Sequence, residues 1–127
     1  MDGVTVGLLG RNPFWGARVV IEEAYTLFST ILKVLGVQLA ALPEEWTPRD
    51  LEDLTATALA EVSKAPTVSD DLWKVLRSAA TSLAVMSDVY TLMTERKDPH
   101  RLDLIVHTFE VMETAILVAA SLIENGE

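Results

Sequence analysis

The chain has 127 residues, a formal net charge of −9 and no cysteine. This length predicts a single domain, 1–127, that can bury a core without covalent cross-links. The lack of cysteine excludes disulfides and thiolate metal sites, and the excess of acidic residues argues against nucleic acid or an anionic membrane surface as a partner.

Residues 1–12 form an N-terminal arm ahead of the first predicted helix. Within it, Val4–Leu9 is the one stretch that could form a short strand. The first ten residues lack both the basic start and the long apolar core of a signal peptide. We therefore expect a cytoplasmic protein.

Four helix starts can be read from residues that favour the N-cap position. Three of them precede a proline, which suits the first turn of a helix, and the fourth is a serine followed by two acidic residues. They are Asn12-Pro13, Thr47-Pro48, Ser69-Asp70-Asp71 and Asp98-Pro99. The predicted helices cover residues 13–41, 48–64, 70–96 and 99–124. Three long helices, one shorter helix and short connections predict an all-α, four-helix up-down bundle.

The first three helices each have one apolar face. On helix one, the face consists of residues at helical spacing: Ala17, Val20, Ile21, Ala24, Phe28, Ile31, Leu32, Leu35 and Leu39. The opposite side of this helix carries Arg18, Glu22, Ser29 and Lys33. The middle of helix three, residues 78–84, is mostly small, which predicts close approach of a neighbouring helix.

Helix four carries two apolar seams, about 100° apart around its axis. The first seam comprises Leu102, Ile105, Phe109, Met112, Ile116, Ala119 and Ile123. The second seam comprises Leu104, Thr108, Val111, Ala115, Val118 and Leu122. One neighbouring helix cannot cover so wide an arc. Helix four is therefore expected either to be central in the bundle or to present its second seam to an oligomer interface.

A polar run on helix four raises the question of a metal site. His107, Glu110 and Glu113 follow one another at intervals of three residues, and helical bundles bind metals through inward-facing Glu and His side chains. His107 and Glu110 lie opposite the first seam, on a stripe with Asp103, Thr114 and Ser121 that we expect to face solvent. We therefore predict no metal site.

Arg101 and His107 have the Arg-x5-His spacing of the HEPN domains, a family of helical ribonucleases, and the pair resembles the motif of that family. The resemblance implies that Arg101 and His107 form a catalytic pair, with His107 acting at the ribose. Leu102 departs from the pattern, because the family usually has a polar residue after the arginine. The alternative interpretation is a surface histidine paired with Asp103 on the same helix.

The sequence contains no nucleophile motif and no phosphate-binding glycine loop. We therefore predict no catalytic residue and no cofactor. The functional expectation is a non-enzymatic, self-associating helical protein: a homo-oligomer that contacts another protein, which could be basic, but neither nucleic acid nor membrane. The competing hypothesis is a small helical enzyme, either a HEPN-like ribonuclease or a carboxylate-metal enzyme.

Overall fold

The computed structural model describes residues 13–65, 68–97 and 101–125. These residues form four helices and no strand, which confirms the predicted all-α four-helix bundle. The helices are α1 (Pro13–Val34), α2 (Pro48–Ser63), α3 (Asp70–Arg96) and α4 (Leu102–Glu124). The N-terminal arm 1–12, its candidate strand and the predicted start of helix four at Pro99 lie outside the described residues.

Helix α1 ends at Val34, seven residues before the predicted end, because Gly36 terminates it. Gly36 has a φ of +83°, in the left-handed region that glycine adopts at low cost. The Val37 N–H donates to the Leu32 carbonyl and the Gly36 N–H to the Lys33 carbonyl, both at 3.0 Å. These two bonds form a Schellman motif, in which the last carbonyls of the helix are satisfied. The prediction that helix one continues to residue 41 is therefore wrong.

The starts of α2 and α3 follow the predicted caps. The Asp50 N–H donates to Thr47 Oγ1 (3.2 Å), and the Thr47 N–H donates back to Asp50 Oδ2 (2.9 Å), which completes a capping box. At α3, the Leu72 N–H donates to Ser69 Oγ (3.1 Å). Each side chain thus satisfies an N–H group that the helix itself leaves unpaired.

Replacing Thr47 by alanine removes the acceptor of this capping box. We expect Thr47→Ala to lower the free energy of unfolding by about 1 kcal/mol, the usual value of a lost N-cap. Urea unfolding followed by circular dichroism measures this loss. Thr57→Ala is the control, because Thr57 lies within α2 and its exposed hydroxyl donates only to the carbonyl one turn back. Equal stability of Thr47→Ala and the unmodified chain would contradict the capping role.

The segment between α1 and α2, residues 35–47, returns along α1. The Tyr25 hydroxyl donates to the Ala40 carbonyl, and the Arg18 Nη1 group donates to the Trp46 carbonyl (3.0 Å). Later residues of the segment thus contact earlier turns of α1. Helix α2 consequently begins beside the first half of α1, and the short connection expected after helix one is replaced by this returning segment.

The returning segment covers the side of α1 that was expected to face solvent. Trp46 is 2 % exposed, and its Nε1–H donates to Glu22 Oε2 (2.7 Å). The Arg18 guanidinium carbon lies 4.2 Å from the centre of the Trp46 ring, a cation–π geometry. Burial raises the pKa of the Tyr25 hydroxyl, which extends to higher pH the range over which this group is a neutral donor. Arg18 and Glu22 are therefore half-buried anchors of the segment.

Helix α3 is the central element of the bundle, since it packs against each of the other three helices. Its core side includes the fully buried Leu72, Leu76, Leu83, Met86 and Met93. Helix α4 packs mainly against two helices, α3 and α1. Of the two arrangements expected for helix four, the structure therefore does not show the central one.

Candidate functional site

The two seams of α4 have different surroundings. The first seam faces the core: Ile105, Met112 and Ala119 are fully buried, and its other members are half-buried against them. The second seam reaches the surface. Leu104, Val111 and Val118 are 41 %, 49 % and 44 % exposed. The described part of the chain thus leaves one line of large aliphatic side chains open along the whole of α4.

The remaining members of the second seam form its inner edge. Thr108, Ala115 and Leu122 are half-buried, and Ala115 and Leu122 pack against the core. Thr108 directs its hydroxyl to the Leu104 carbonyl of its own helix (2.8 Å), so its methyl group remains for apolar contact. The structure thus brings all six predicted interface residues to one edge of α4, with Leu104, Val111 and Val118 outermost.

Helix α3 supplies a second wall to this surface. A groove of about 480 Å³ runs between α3 and α4, and it is lined by Lys74, Val75, Ser78, Val111, Thr114, Ala115 and Val118. Val85 follows Ser78 by two helical turns and therefore lies on the same side of α3, where it is 39 % exposed. We call the surface formed by these α3 residues and the second seam the α3–α4 face.

The contribution of α3 was missed in the sequence analysis. Its small central residues were interpreted as a packing device, and Ser78 does line a groove beside α4. Val75 belongs to the apolar face of helix three, but Val85 interrupts a run of polar and small residues and was not assigned to any face. A signal was present: Val75, Ser78, Ser82 and Val85 recur at intervals of three and four residues.

Glu110 and Glu113 of α4 do not line the groove of the α3–α4 face, whereas His107 precedes the groove-lining Thr114 by two helical turns and lies at the edge of the face. His107, Glu110 and Glu113 are all exposed. Within the described ranges, no group of three His, Asp or Glu side chains is placed to hold a metal ion. Arg101 is half-buried at the N-cap of α4, and His107 projects from the second turn. Their separation of six residues places the two side chains on different sides of the helix axis.

Helix α4 has an apolar composition for an outer helix. Among the described residues it is the one helix long and apolar enough to span a membrane by length and composition, with a mean hydropathy of 1.5 over its best window. Only 17 % of that window is buried within the chain. A core helix of similar composition would be mostly covered, so α4 has more apolar surface than its own chain conceals.

Comparison with known proteins gave no matching family model, no similar curated protein and no similar solved structure. The function is therefore argued from the α3–α4 face. Large apolar groups concentrate there without charge along the seam, and such exposed patches mark interaction sites in soluble proteins.

Proposed function

We propose that this chain is a non-enzymatic, self-associating helical protein that acts through protein–protein contact, and that the α3–α4 face is its contact surface. The observation that carries the proposal is the line of Leu104, Val111 and Val118, each between 41 % and 49 % exposed in the single chain. Exposing such a line to water is unfavourable, and burial against a partner would remove the cost.

The spacing of the line favours a second copy of the chain as the partner. Leu104, Val111 and Val118 are separated by two helical turns each, so the line is unchanged in pattern when its direction is reversed. A twofold axis perpendicular to the helix reverses its direction and pairs a surface with itself, and twofold dimers are the commonest soluble oligomers. Ala115 and Ser78 are small, which allows the partner helix to approach closely.

The charged residues of α4 favour a protein rather than a lipid bilayer as the partner that covers its apolar surface. Glu110 and Glu113 lie near the middle of the apolar window, where a charged side chain is costly in a bilayer. The face itself also includes Lys74 at its edge. We therefore propose a cytoplasmic homo-oligomer, whose acidic exterior would suit a further, basic protein partner.

A cysteine placed on the face tests whether two copies meet there. The chain has no cysteine, so a disulfide formed by Val111→Cys must join the introduced thiols of two chains. In the twofold pairing the two thiols face each other, and a disulfide needs Cα atoms within about 7 Å. We expect rapid conversion to a covalent dimer under mild oxidation, measured by non-reducing electrophoresis.

Leu117→Cys is the matched control for this experiment. Leu117 lies on the same helix, away from the α3–α4 face, and is 70 % exposed. Random collision would oxidise this more accessible thiol at least as fast as a thiol at position 111. Slower or equal cross-linking of Val111→Cys would therefore contradict the proposed function.

A further inference from the structure

We propose that the groove between α1 and the returning segment binds a primary ammonium group carried on an aliphatic chain, as on a lysine side chain or a free alkylamine. The groove has a volume of about 440 Å³ and is bounded by one side of α1 and by residues between 39 and 44. None of its lining residues belongs to the α3–α4 face. Binding in this groove is therefore independent of self-association.

One side of α1 supplies most of the polar side chains of the groove. Glu22, Thr26 and Ser29 follow one another at intervals of four and three residues, which places them on the same side of the helix. Tyr25 and Thr30 flank this row and also line the groove. The groove thus runs for about two turns along the helix.

The hydroxyl groups along this side offer acceptors to the groove, because three of them use their hydrogen within the protein. The Thr26 hydroxyl donates to the Glu22 carbonyl (2.9 Å), and the Thr30 hydroxyl donates to the Thr26 carbonyl (2.8 Å). The Tyr25 hydroxyl donates to the Ala40 carbonyl. Each of these oxygens retains a lone pair but has no further hydrogen to donate. A matching ligand must supply several donors, and an ammonium group supplies three.

The Glu22 carboxylate gives the groove a negative charge in a fixed position. Glu22 is half-buried, and the Trp46 Nε1–H donates to its Oε2 (2.7 Å), which orients the carboxylate. The ion pair found within the described part of the chain does not involve this carboxylate. Arg18, one turn earlier on α1, directs its guanidinium to the carbonyls of Trp46 and Glu44. A half-buried carboxylate in these surroundings is stabilised when a cation binds beside it.

The opposite wall of the groove is mainly apolar, which selects the chemistry of the cation. Leu39, Leu42 and Pro43 line it from the returning segment, and Glu44 adds a second carboxylate. Lys33 follows on α1 but does not line the groove. The methylene groups of a lysine side chain or an alkylamine cover apolar surface while the charged end stays among polar groups. An inorganic cation would leave the apolar wall uncovered, so the groove favours an alkylammonium ion.

Titration with n-butylammonium chloride at constant ionic strength, followed by proton–nitrogen correlation NMR, tests the assignment. The indole N–H of Trp46 is the reporter, because it donates to the carboxylate that receives the ligand. Its signal is the one that disappears in Trp46→Phe. We expect this signal and the backbone amides of residues 22–30 to shift and to saturate, with a dissociation constant on the order of 1 mM for so small a ligand.

Two further ligands define what the groove recognises. Butanol has the same chain without the charge and should cause no saturable shift. N-acetyl-lysine amide carries the same ammonium group on a residue of a protein chain. If it binds at least as tightly as butylammonium, the natural ligand is the lysine side chain of a protein, and weaker binding indicates a free amine. Either order supports an alkylammonium site.

Glu22→Gln removes the charge but keeps an oxygen that can accept from Trp46, so the near-ultraviolet circular dichroism should be unchanged. We expect the dissociation constant for butylammonium to rise about tenfold. Glu44→Gln, at an exposed residue of the groove, should raise it about threefold without touching the Trp46 contact. Glu23→Gln is the matched control, because the same charge is removed at an exposed neighbour that does not line the groove.

The constant of the Glu23→Gln variant should stay close to that of the unmodified chain. Shifts that do not saturate, equal binding of butanol, or equal affinities of the Glu22→Gln, Glu44→Gln and Glu23→Gln variants would overturn the ammonium site. None of these outcomes bears on whether two copies of the chain associate, so the proposed function is tested separately.

Discussion

Trp46→Ala is expected to lower the free energy of unfolding by about 3–5 kcal/mol, the usual cost of truncating a buried tryptophan. The indole is 2 % exposed, donates to Glu22 Oε2, and lies 5.9 Å from the Tyr90 ring, centre to centre. Its removal leaves a cavity where the returning segment meets α1 and α3, and it deprives the half-buried Glu22 of a donor. Denaturant unfolding followed by circular dichroism measures the loss.

Two further variants separate the contributions to this loss. Trp46→Phe keeps most of the packing and removes the hydrogen bond, so we expect a smaller loss of about 1–2 kcal/mol. Trp15→Ala is the matched control, because the Trp15 side chain is 43 % exposed and its truncation removes less buried surface. If Trp46→Ala costs no more than Trp15→Ala, residues 35–47 are not anchored on α1 as described.

Val111→Glu combined with Val118→Lys is expected to convert the proposed dimer into folded monomers. The two changes cancel in net charge, so general repulsion between chains is unaltered. At the twofold axis the introduced carboxylates would face each other, and burying a charge without a partner costs several kcal/mol. Both positions are half-exposed in the single chain, so helicity should persist, with a mass of one chain by light scattering.

Leu117→Glu combined with Val34→Lys is the matched control for this variant. These positions are 70 % and 62 % exposed and lie outside the α3–α4 face. Like the test variant, this control introduces one glutamate and one lysine at apolar positions and leaves the net charge unaltered. The proposed dimer should survive it. Loss of helicity in the Val111/Val118 variant would show that the second seam is buried within its own chain, and retention of the dimer would place the interface elsewhere.

The starts of α2 and α3 and the core side of α4 could be predicted because their causes are local. A cap depends on residues within one turn, and the Thr47 and Ser69 side chains accept the bonds that their positions imply. The first seam of α4 follows from helical periodicity alone. Ile105, Met112 and Ala119 are accordingly its fully buried members.

The end of α1 was missed although its signal is local. Apolar residues continue at helical spacing beyond Gly36, and that periodicity was given more weight than the glycine. Leu35 and Leu39 do pack against the core, but both do so from the segment 35–47 and not from the helix. The roles of Arg18 and Glu22 could not be predicted, because they depend on where residues 35–47 return.

Of the α3–α4 face, only the part on α4 could be predicted from the sequence. Periodicity identifies both seams of α4, but it does not say which neighbour covers which seam, because that depends on the packing of α3 and α1. The second seam lies beside α3, where Ser78 leaves a groove, and stays open. The α3 wall of the face could not be derived, because the position of Lys74, Val75 and Ser78 relative to α4 is a tertiary property.

The mass of the unmodified chain in solution tests the central claim most directly. Sedimentation equilibrium from about 1 to about 200 µM spans the micromolar affinity that is expected when half-exposed aliphatic side chains become buried. The account predicts a mass that rises from 13.9 kDa towards twice that value and then levels off. A single species of 13.9 kDa at every concentration would contradict it.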